Sequence, residues 1–150
     1  MGYRETYEQW LKDFADDQSL VNELTAIAGD EKEVEDRFYR GLEFGTAGMR
    51  GVLGFGTNRM NVYNVRRATK ALAKFVEKMN GKDRGVVIAY DSRNFSDIFA
   101  KQAALVLAAN GVKTYLFESL RPVPVLSFSV RHLKTIAGIV ITASHNPKQL

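Results

Sequence analysis

Apolar positions recur every three or four residues through the first part of the chain, which predicts short amphipathic helices there. The apolar face of the first helix consists of Tyr7, Trp10, Leu11 and Phe14. A second helix is predicted to begin at a cap supplied by Asp16 or Asp17 and to end at Gly29, and a third covers residues 30–39. Because so short a stretch buries little surface by itself, we expect residues 1–43 to form a helical extension packed on a larger domain.

From residue 44 onward, helical stripes alternate with compact apolar runs. The helical patterns cover residues 62–79, 95–109 and 124–133, and the strand-like runs cover residues 86–90, 112–117 and 135–141. The apolar stripe of the first of these helices is predicted to be Val65, Leu72, Phe75, Val76 and Met79. The glycines between residues 41 and 56 predict turns or irregular backbone. Strands alternating with helices predict an α/β domain with a largely parallel or mixed sheet.

The charge is divided unevenly along the chain. Residues 1–43 carry 12 acidic and 5 basic side chains, for a net charge of −7, whereas residues 44–150 carry 5 acidic and 16 basic, for +11. One reading is an acidic helical segment on a basic body whose charges are mostly solvated. The other is that the body handles an anion such as a phosphate ester or a nucleic acid. Charge alone leaves both readings open.

Composition excludes several classes of protein. The apolar and charged fractions of 45% and 25% are those of a soluble globular domain, and no stretch approaches the roughly 18 apolar residues of a membrane helix. The N-terminus lacks the apolar region of a signal peptide. The absence of cysteine excludes disulfides, thiolate zinc sites and a cysteine nucleophile. We therefore expect a cytoplasmic protein with no membrane partner. No interleaved stripe of aromatic and basic residues is present, so we also expect no nucleic-acid partner.

Three polar segments are candidates for one shared site. They are residues 44–51 (FGTAGMRG), 91–93 (DSR) and 142–147 (TASHNP). The second and third follow predicted strands, and parallel strands would bring both to the same edge of the sheet. Arginine binds phosphate through a planar fork of donors, and glycine-rich backbone lets amides approach an anion closely. The combination indicates phosphate handling, with Ser144 as the acceptor.

Each of these segments also has an ordinary explanation. The glycine spacing at 44–51 matches neither the dinucleotide fingerprint nor the P-loop, and an Asp-Ser-Arg turn often simply begins a helix. Ser144 and His145 do not form a hydrolase pair, because adjacent side chains generally point apart. His132 is expected to be an ordinary, partly exposed histidine. The residues alone therefore predict a phosphate-binding α/β domain and nothing more specific.

A resemblance to a known family makes the prediction more specific. Residues 142–147, preceded by the apolar run 137–141, resemble the phosphoserine signature of the α-D-phosphohexomutases, the phosphoglucomutase and phosphomannomutase family. Residues 44–51 are similar to the FGTAGxRG loop of the phosphoglucomutase and phosphopentomutase branch, and residues 90–93 to its YDSR segment. The helical lead-in and residues 121–124 (RPVP) fit as well.

The likeness covers nearly the whole chain and implies a fold and a domain layout. It implies a three-layer α/β/α domain with a mixed, mostly parallel sheet, preceded by an N-terminal helical segment. We expect residues 44–150 to be the family's first domain, with its phosphoserine loop, and residues 1–43 to be the extension.

The resemblance also implies a mechanism. Ser144 would carry a phosphoryl group and donate it to a sugar monophosphate, converting glucose 1-phosphate to glucose 6-phosphate through a bisphosphate intermediate. Ser144, His145 and Arg50 would be the catalytic residues. Phosphate binding would fall to Arg50, Arg93, Thr142 and Asn146. A Mg²⁺ ion would take one oxygen of the phosphate on Ser144, and glucose 1,6-bisphosphate would act as activator.

Parts of the family pattern do not occur in this sequence. The chain contains no DGDxDR metal loop, no NGxK lysine segment follows the serine loop, and Leu150 stands where tyrosine is common in the family. We therefore expect an isolated first domain without a stable metal site, inactive as a mutase, whose partners are a sugar phosphate and the later domains of a parent enzyme. Two alternatives stay open: a non-catalytic phosphate-binding or regulatory module, and a phosphopentomutase.

Overall fold

The computed structural model describes residues 2–42, 44–45, 48–90, 96–116 and 137–144. Its helices are α1 (Tyr3–Asp13), α2 (Gln18–Ala26), α3 (Glu31–Phe38), α4 (Val62–Lys78) and α5 (Ser96–Ala109). Its strands are β1 (Phe44–Gly45), β2 (Gly48–Val52), β3 (Val86–Tyr90), β4 (Thr114–Leu116) and β5 (Ala137–Ser144). None of these helices is long and apolar enough to cross a membrane.

Helices α2 and α3 of the N-terminal segment each begin at an aspartate cap. The Asp17 carboxylate accepts the Leu20 amide at 3.2 Å, and the Asp30 carboxylate accepts the Glu33 amide at 3.2 Å, so each satisfies a free donor of a first helical turn. Asp17, rather than Asp16, is the cap of α2. The helices enclose a cluster of six buried residues, Tyr7, Trp10, Leu20, Leu24, Val34 and Phe38. Phe55 and Tyr63 pack against this cluster, so the helices contact the rest of the chain through apolar surface.

The five described strands form one sheet in the order β1-β2-β5-β3-β4. Only β1 and β2 are antiparallel, and the three other pairs are parallel. The prediction of a mixed, mostly parallel sheet is confirmed. Strand β3 covers the predicted residues 86–90, whereas β4 is shorter than the predicted run 112–117.

The main core lies between the sheet and helices α4 and α5. On β3, Val86 and Ile88 belong to this core, while Val87 and Ala89 on the opposite face are also fully buried. Burial on both faces is typical of a central strand in an α/β/α domain. The predicted stripe of α4 was wrong at two positions, because Phe75 and Met79 are 45% and 57% exposed.

Two strand boundaries also differ from the sequence prediction. The glycine-rich segment was expected to be irregular, yet residues 48–52 form β2, because they pair with β1 on one side and β5 on the other. The last strand was expected to end at Ile141, but β5 continues through Ser144, since β2 supplies backbone partners that far. The predicted helix at 124–133 lies outside the described residues.

Candidate functional site

Strands β2 and β5 bring three of the predicted site residues together. Arg50 is the register partner of Thr142, and Val52 is the register partner of Ser144. Paired strands run about 4.8 Å apart, so the Arg50 and Thr142 backbones are direct neighbours. Ser144 is the last residue of β5 and therefore lies at the carboxyl edge of the parallel sheet. Both Ser144 and Thr142 are strand residues rather than loop residues, which corrects the sequence prediction.

Strand β3 ends at the same edge. Tyr90, its last residue, is the register partner of Ile141, so the chain leaves β3 beside the strand that carries Ser144. The predicted Asp-Ser-Arg segment follows Tyr90 directly in sequence. Arg93, His145 and Asn146 lie outside the described residues, and their roles stay predictions. His132 lies outside them too.

The loop after β2, residues 53–61 (the edge loop), begins at this carboxyl edge. It closes back on the strand, because the Met60 amide donates to the Val52 carbonyl at 2.8 Å and the Gly54 amide donates to the Met60 carbonyl at 3.2 Å. The first residue of the edge loop therefore follows directly on the register partner of Ser144.

Two buried asparagines hold the interior of the edge loop. The Asn61 side chain caps α4 by accepting the Asn64 amide at 3.0 Å, and its Nδ2 donates to the Gly54 and Gly56 carbonyls. The Asn64 Nδ2 donates to the Gly56 and Arg59 carbonyls, both at 2.8 Å. Each asparagine is 4% exposed, so both side-chain amides find their partners within the loop instead of in water. Sequence reasoning missed this pair, although an Asn-x-x-Asn spacing at a helix start was a usable signal.

Arg37 of α3 and Arg59 of the edge loop are held by carboxylates of α2 and α3. Arg37 pairs with Glu23 at 2.7 Å and with Glu33 at 2.9 Å, and Arg59 pairs with Asp36 at 2.5 Å. The Arg59 side chain is only 5% exposed. A buried guanidinium neutralised in this way supports the fold and is not free to bind a phosphate ester. Sequence reasoning singled out neither arginine.

A cavity of about 520 Å³ lies next to the edge loop. Its lining includes Asp17 (the cap of α2), Glu23 of α2, Leu53 and Phe55 from the edge loop, and Ile98 and Phe99 from α5. Among the described residues that line it there is no arginine, lysine or histidine. The described part of its lining therefore supplies no cation for a phosphate group.

The described residues do not form a metal centre by themselves. No group of three or more histidine, aspartate or glutamate residues suited to a cation occurs among them. Of the predicted magnesium ligands, this part of the chain contributes Ser144 alone. The described residues therefore do not fit a complete Mg²⁺ site.

Comparison with known proteins identifies related sequences over most of the chain. The model of the family described as phosphoglucomutase/phosphomannomutase, alpha/beta/alpha domain I, matches residues 41–150. A phosphopentomutase of Mus musculus is 40% identical over 152 residues, covering 94% of this chain and 24% of the relative. A phosphoglucomutase of Staphylococcus saprophyticus is 40% identical over 139 residues, covering 93% of this chain and 24% of the relative. The chain thus spans about a quarter of the length of these curated relatives. No solved structure matches it significantly.

Proposed function

This chain belongs to the phosphoglucomutase/phosphomannomutase family through its α/β/α domain I, and from that premise we propose that it carries the phosphoryl-accepting serine of a sugar-phosphate mutase. The reaction proposed is the interconversion of glucose 1-phosphate and glucose 6-phosphate through a bisphosphate. The observation that supports it best is the register of β2 and β5, which sets Arg50 beside Thr142 and ends at Ser144 on the carboxyl edge.

In the proposed mechanism, the phosphoryl group passes from Ser144 Oγ to the free hydroxyl of a sugar monophosphate. The P–O bond to serine breaks, a P–O bond to the sugar forms, and the hydroxyl proton leaves as the serine oxygen regains one. The bisphosphate then presents its other phosphate, which returns to Ser144, so no phosphate is gained or lost. Such transfer depends mainly on positioning and on neutralising the phosphoryl oxygens.

The roles of the remaining site residues follow from their chemistry. Arg50 would neutralise the phosphoryl oxygens through its fork of donors, which lysine cannot reproduce. We propose that Arg93, Thr142 and Asn146 bind phosphate and that His145 lines the same pocket. When bound, a Mg²⁺ ion would add positive charge at an oxygen of the phosphate on Ser144, and its other ligands would have to come from outside the described residues.

We further propose a division of the chain and its partners. Residues 1–43 would form the helical extension, and residues 44–150 the phosphoserine domain. Because the chain corresponds to about a quarter of its relatives, sugar-phosphate turnover would require the remaining domains of a parent enzyme. This chain alone would take up phosphate on Ser144 without isomerising a sugar, with glucose 1,6-bisphosphate as the donor.

A phosphopentomutase is the second candidate function. It is favoured by the matches to phosphopentomutases of Mus musculus and Homo sapiens at 40% and 39% identity, which are close to the 40% identity with the phosphoglucomutase of Staphylococcus saprophyticus. Assays of the parent enzyme with glucose 1-phosphate and ribose 1-phosphate in parallel would separate the two reactions.

The test of the proposed function is uptake of phosphate by this chain. The chain is incubated with glucose 1,6-bisphosphate, and the site of modification is read by intact-mass and peptide mass spectrometry. We expect one phosphoryl group on Ser144, its loss in Ser144→Ala, and its retention in Ser19→Ala, which removes an exposed serine of α2. Phosphate found only at other residues would overturn the assignment of Ser144.

A further inference from the structure

We infer that Arg37 and Glu23 are positioning residues for the carboxyl edge of the sheet: they clamp the edge loop and thereby hold β2 against β5. The consequence for catalysis rests on the function proposed above, whereas the positioning of β2 can be tested without it. The hydrogen bonds described for the Arg37 and Glu23 side chains go to each other, to Glu33 and to Phe55.

The clamp acts on the backbone of Phe55. Glu23 Oε2 accepts the Phe55 amide at 2.7 Å, and Arg37 Nη1 donates to the Phe55 carbonyl at 3.1 Å. The same two side chains join each other at 2.7 Å. Both polar groups of one loop residue are therefore held by an ion pair between α2 and α3. A charged partner makes such hydrogen bonds stronger than those between neutral groups.

Arg37 also holds the edge loop through its own carbonyl. That oxygen accepts the Asn58 amide at 2.9 Å and the Thr57 hydroxyl at 3.3 Å. The backbones approach so closely that a Cβ on Gly56, where φ is +136°, would lie 2.9 Å from the Arg37 carbonyl oxygen. Only glycine fits this contact without a shift of one segment.

The edge loop transmits this anchoring to β2. Its far end is bonded to the strand through the Met60 amide and the Val52 carbonyl at 2.8 Å. Leu42, four residues after α3, donates its amide to the Thr57 carbonyl at 2.7 Å, and its side chain lies against Gly51 in β2. The N-terminal helices therefore fix the strand next to β5 from two directions.

Burial makes the ion pair difficult to replace. The Arg37 side chain is 13% exposed, and its Nε donates a hydrogen bond of 2.9 Å to the Glu33 carboxylate. Truncation of Arg37 leaves the Phe55 carbonyl and the Glu23 carboxylate short of a partner in a half-buried setting, so the loop is expected to open locally.

A matched control exists in the same helices. Arg4 and Glu31 form an ion pair of 2.7 Å between α1 and α3, with both side chains more exposed. None of the hydrogen bonds of this pair reaches the edge loop. Arg4→Ala therefore removes an arginine–glutamate pair from the helical segment without removing the clamp.

The first measurement is amide hydrogen exchange of the whole chain in wild type, Arg37→Ala, Glu23→Ala, Glu23→Gln and Arg4→Ala. In Arg37→Ala, we expect the Asn58 and Met60 amides and the amides of β2 to exchange faster by about tenfold or more. The exchange rates in β3 should be the same as in Arg4→Ala. Glu23→Gln keeps a side-chain oxygen for the Phe55 amide and should show a smaller effect than Glu23→Ala. Exchange that is unchanged in the edge loop and β2, or raised equally throughout the chain, would overturn the inference.

The second measurement is the rate at which glucose 1,6-bisphosphate phosphorylates Ser144 in the same variants, at a temperature where all are folded. We expect a loss of about tenfold in Arg37→Ala at saturating donor, partial recovery in Glu23→Gln compared with Glu23→Ala, and no loss in Arg4→Ala. A wild-type chain that takes up no phosphate would contradict the proposed function, and the exchange data would still decide whether the clamp positions β2. Wild-type rates in Arg37→Ala, with the edge loop opened, would overturn the catalytic consequence.

Discussion

The Tyr63 hydroxyl donates a 2.6 Å hydrogen bond to Oδ2 of Asp17, and this joins the first turn of α4 to the cap of α2. The other oxygen of the same carboxylate accepts the Leu20 amide. The Tyr63 ring also stacks on Phe14, with centroids 4.0 Å apart and planes inclined by 25°. Asp17 therefore has two functions, as a helix cap and as a link between the N-terminal helices and α4.

Replacement of Asp17 should cost more than replacement of an ordinary cap. Asp17→Ala loses the cap and the bond to Tyr63, for a cost of about 2 kcal/mol in the free energy of unfolding. Asp30→Ala loses a cap alone and should cost about 1 kcal/mol. Urea denaturation of both variants measures the difference. Equal costs would show that the Tyr63 bond contributes nothing to stability.

The Tyr63 bond also predicts a dependence of stability on alkaline pH. Burial, the hydrogen bond to Asp17 and the charge of that carboxylate raise the pKa of Tyr63 from 10.0 to about 12. Between these values the unfolded chain has released the tyrosine proton while the folded chain keeps it. The unfolded state then binds fewer protons, so stability falls as the pH rises.

The variant Tyr63→Phe isolates this effect. Urea denaturation at pH 9 and at pH 11 should show wild type losing more stability than Tyr63→Phe over that interval. Contributions from other tyrosines are common to both proteins and cancel in the comparison. An identical loss in the two proteins would contradict the raised pKa.

Local signals in the sequence were sufficient for most helices and for one strand. Asp17 and Asp30 are caps that act within their own turn, so residues close in sequence determine where α2 and α3 begin. Strand β3 was predictable because an unbroken apolar run is what burial on both faces requires. The exposed Phe75 and Met79 show the limit of periodicity, which marks apolar residues on a helix without showing which of them a neighbour covers.

The candidate site was less predictable because its backbone is set by distant pairing. Glycine disfavours strands, yet residues 48–52 form β2 because β5, about 90 residues later in the chain, supplies the hydrogen bonds. The same pairing extends β5 to Ser144 through Thr142 and Ala143, small residues that show no apolar strand pattern. The clamp likewise joins Phe55 to Glu23, 32 positions earlier, and to Arg37, 18 positions earlier. No local pattern in the sequence contains such a relationship.

The entry to β3 contains a glycine that should not tolerate a side chain. Gly85 has φ +80°, and a Cβ there would collide with the backbone carbonyl of Lys113, which accepts the Val86 amide at 2.8 Å. Gly85→Ala therefore combines backbone strain with a contact that can be relieved only by separating β3 from β4. We expect it to lower the free energy of unfolding by about 3 kcal/mol or more.

Gly111 is the matched control for this substitution. Its φ is +74°, but a Cβ there would meet only the far end of the Lys82 side chain, 3.8 Å away. Gly111→Ala should cost about 1 kcal/mol, the strain of a left-handed conformation alone. Thermal or urea denaturation of the two variants tests the ranking, and a Gly111→Ala cost equal to that of Gly85→Ala would show that the Lys113 contact is relieved without penalty.

The Leu42 side chain packs against β2 at Gly51, which has no side chain of its own, and the pair can be tested by a double-mutant cycle. A Cβ on Gly51 would lie 3.0 Å from Leu42 Cδ1 and 3.2 Å from Leu42 Cδ2. Gly51→Val should therefore destabilise the chain by about 2 kcal/mol through overpacking, although valine favours a strand. Because the obstructing atoms are the end of a side chain, Leu42→Ala should relieve the clash. The double variant should therefore be about 1 kcal/mol more stable than the sum of the two single-variant costs predicts.

The same cycle connects stability to the candidate site, since Gly51 lies between Arg50 and the register partner of Ser144. A valine that pushes β2 away from Leu42 moves the strand that carries Arg50 relative to β5. Phosphorylation of Ser144 by glucose 1,6-bisphosphate should therefore slow in Gly51→Val and recover in the double variant. Leu42→Ala alone keeps the bond from the Leu42 amide to Thr57 and should slow it less than Gly51→Val does. Recovery of stability without recovery of phosphorylation would show that the valine disturbs the site by a route other than its contact with Leu42.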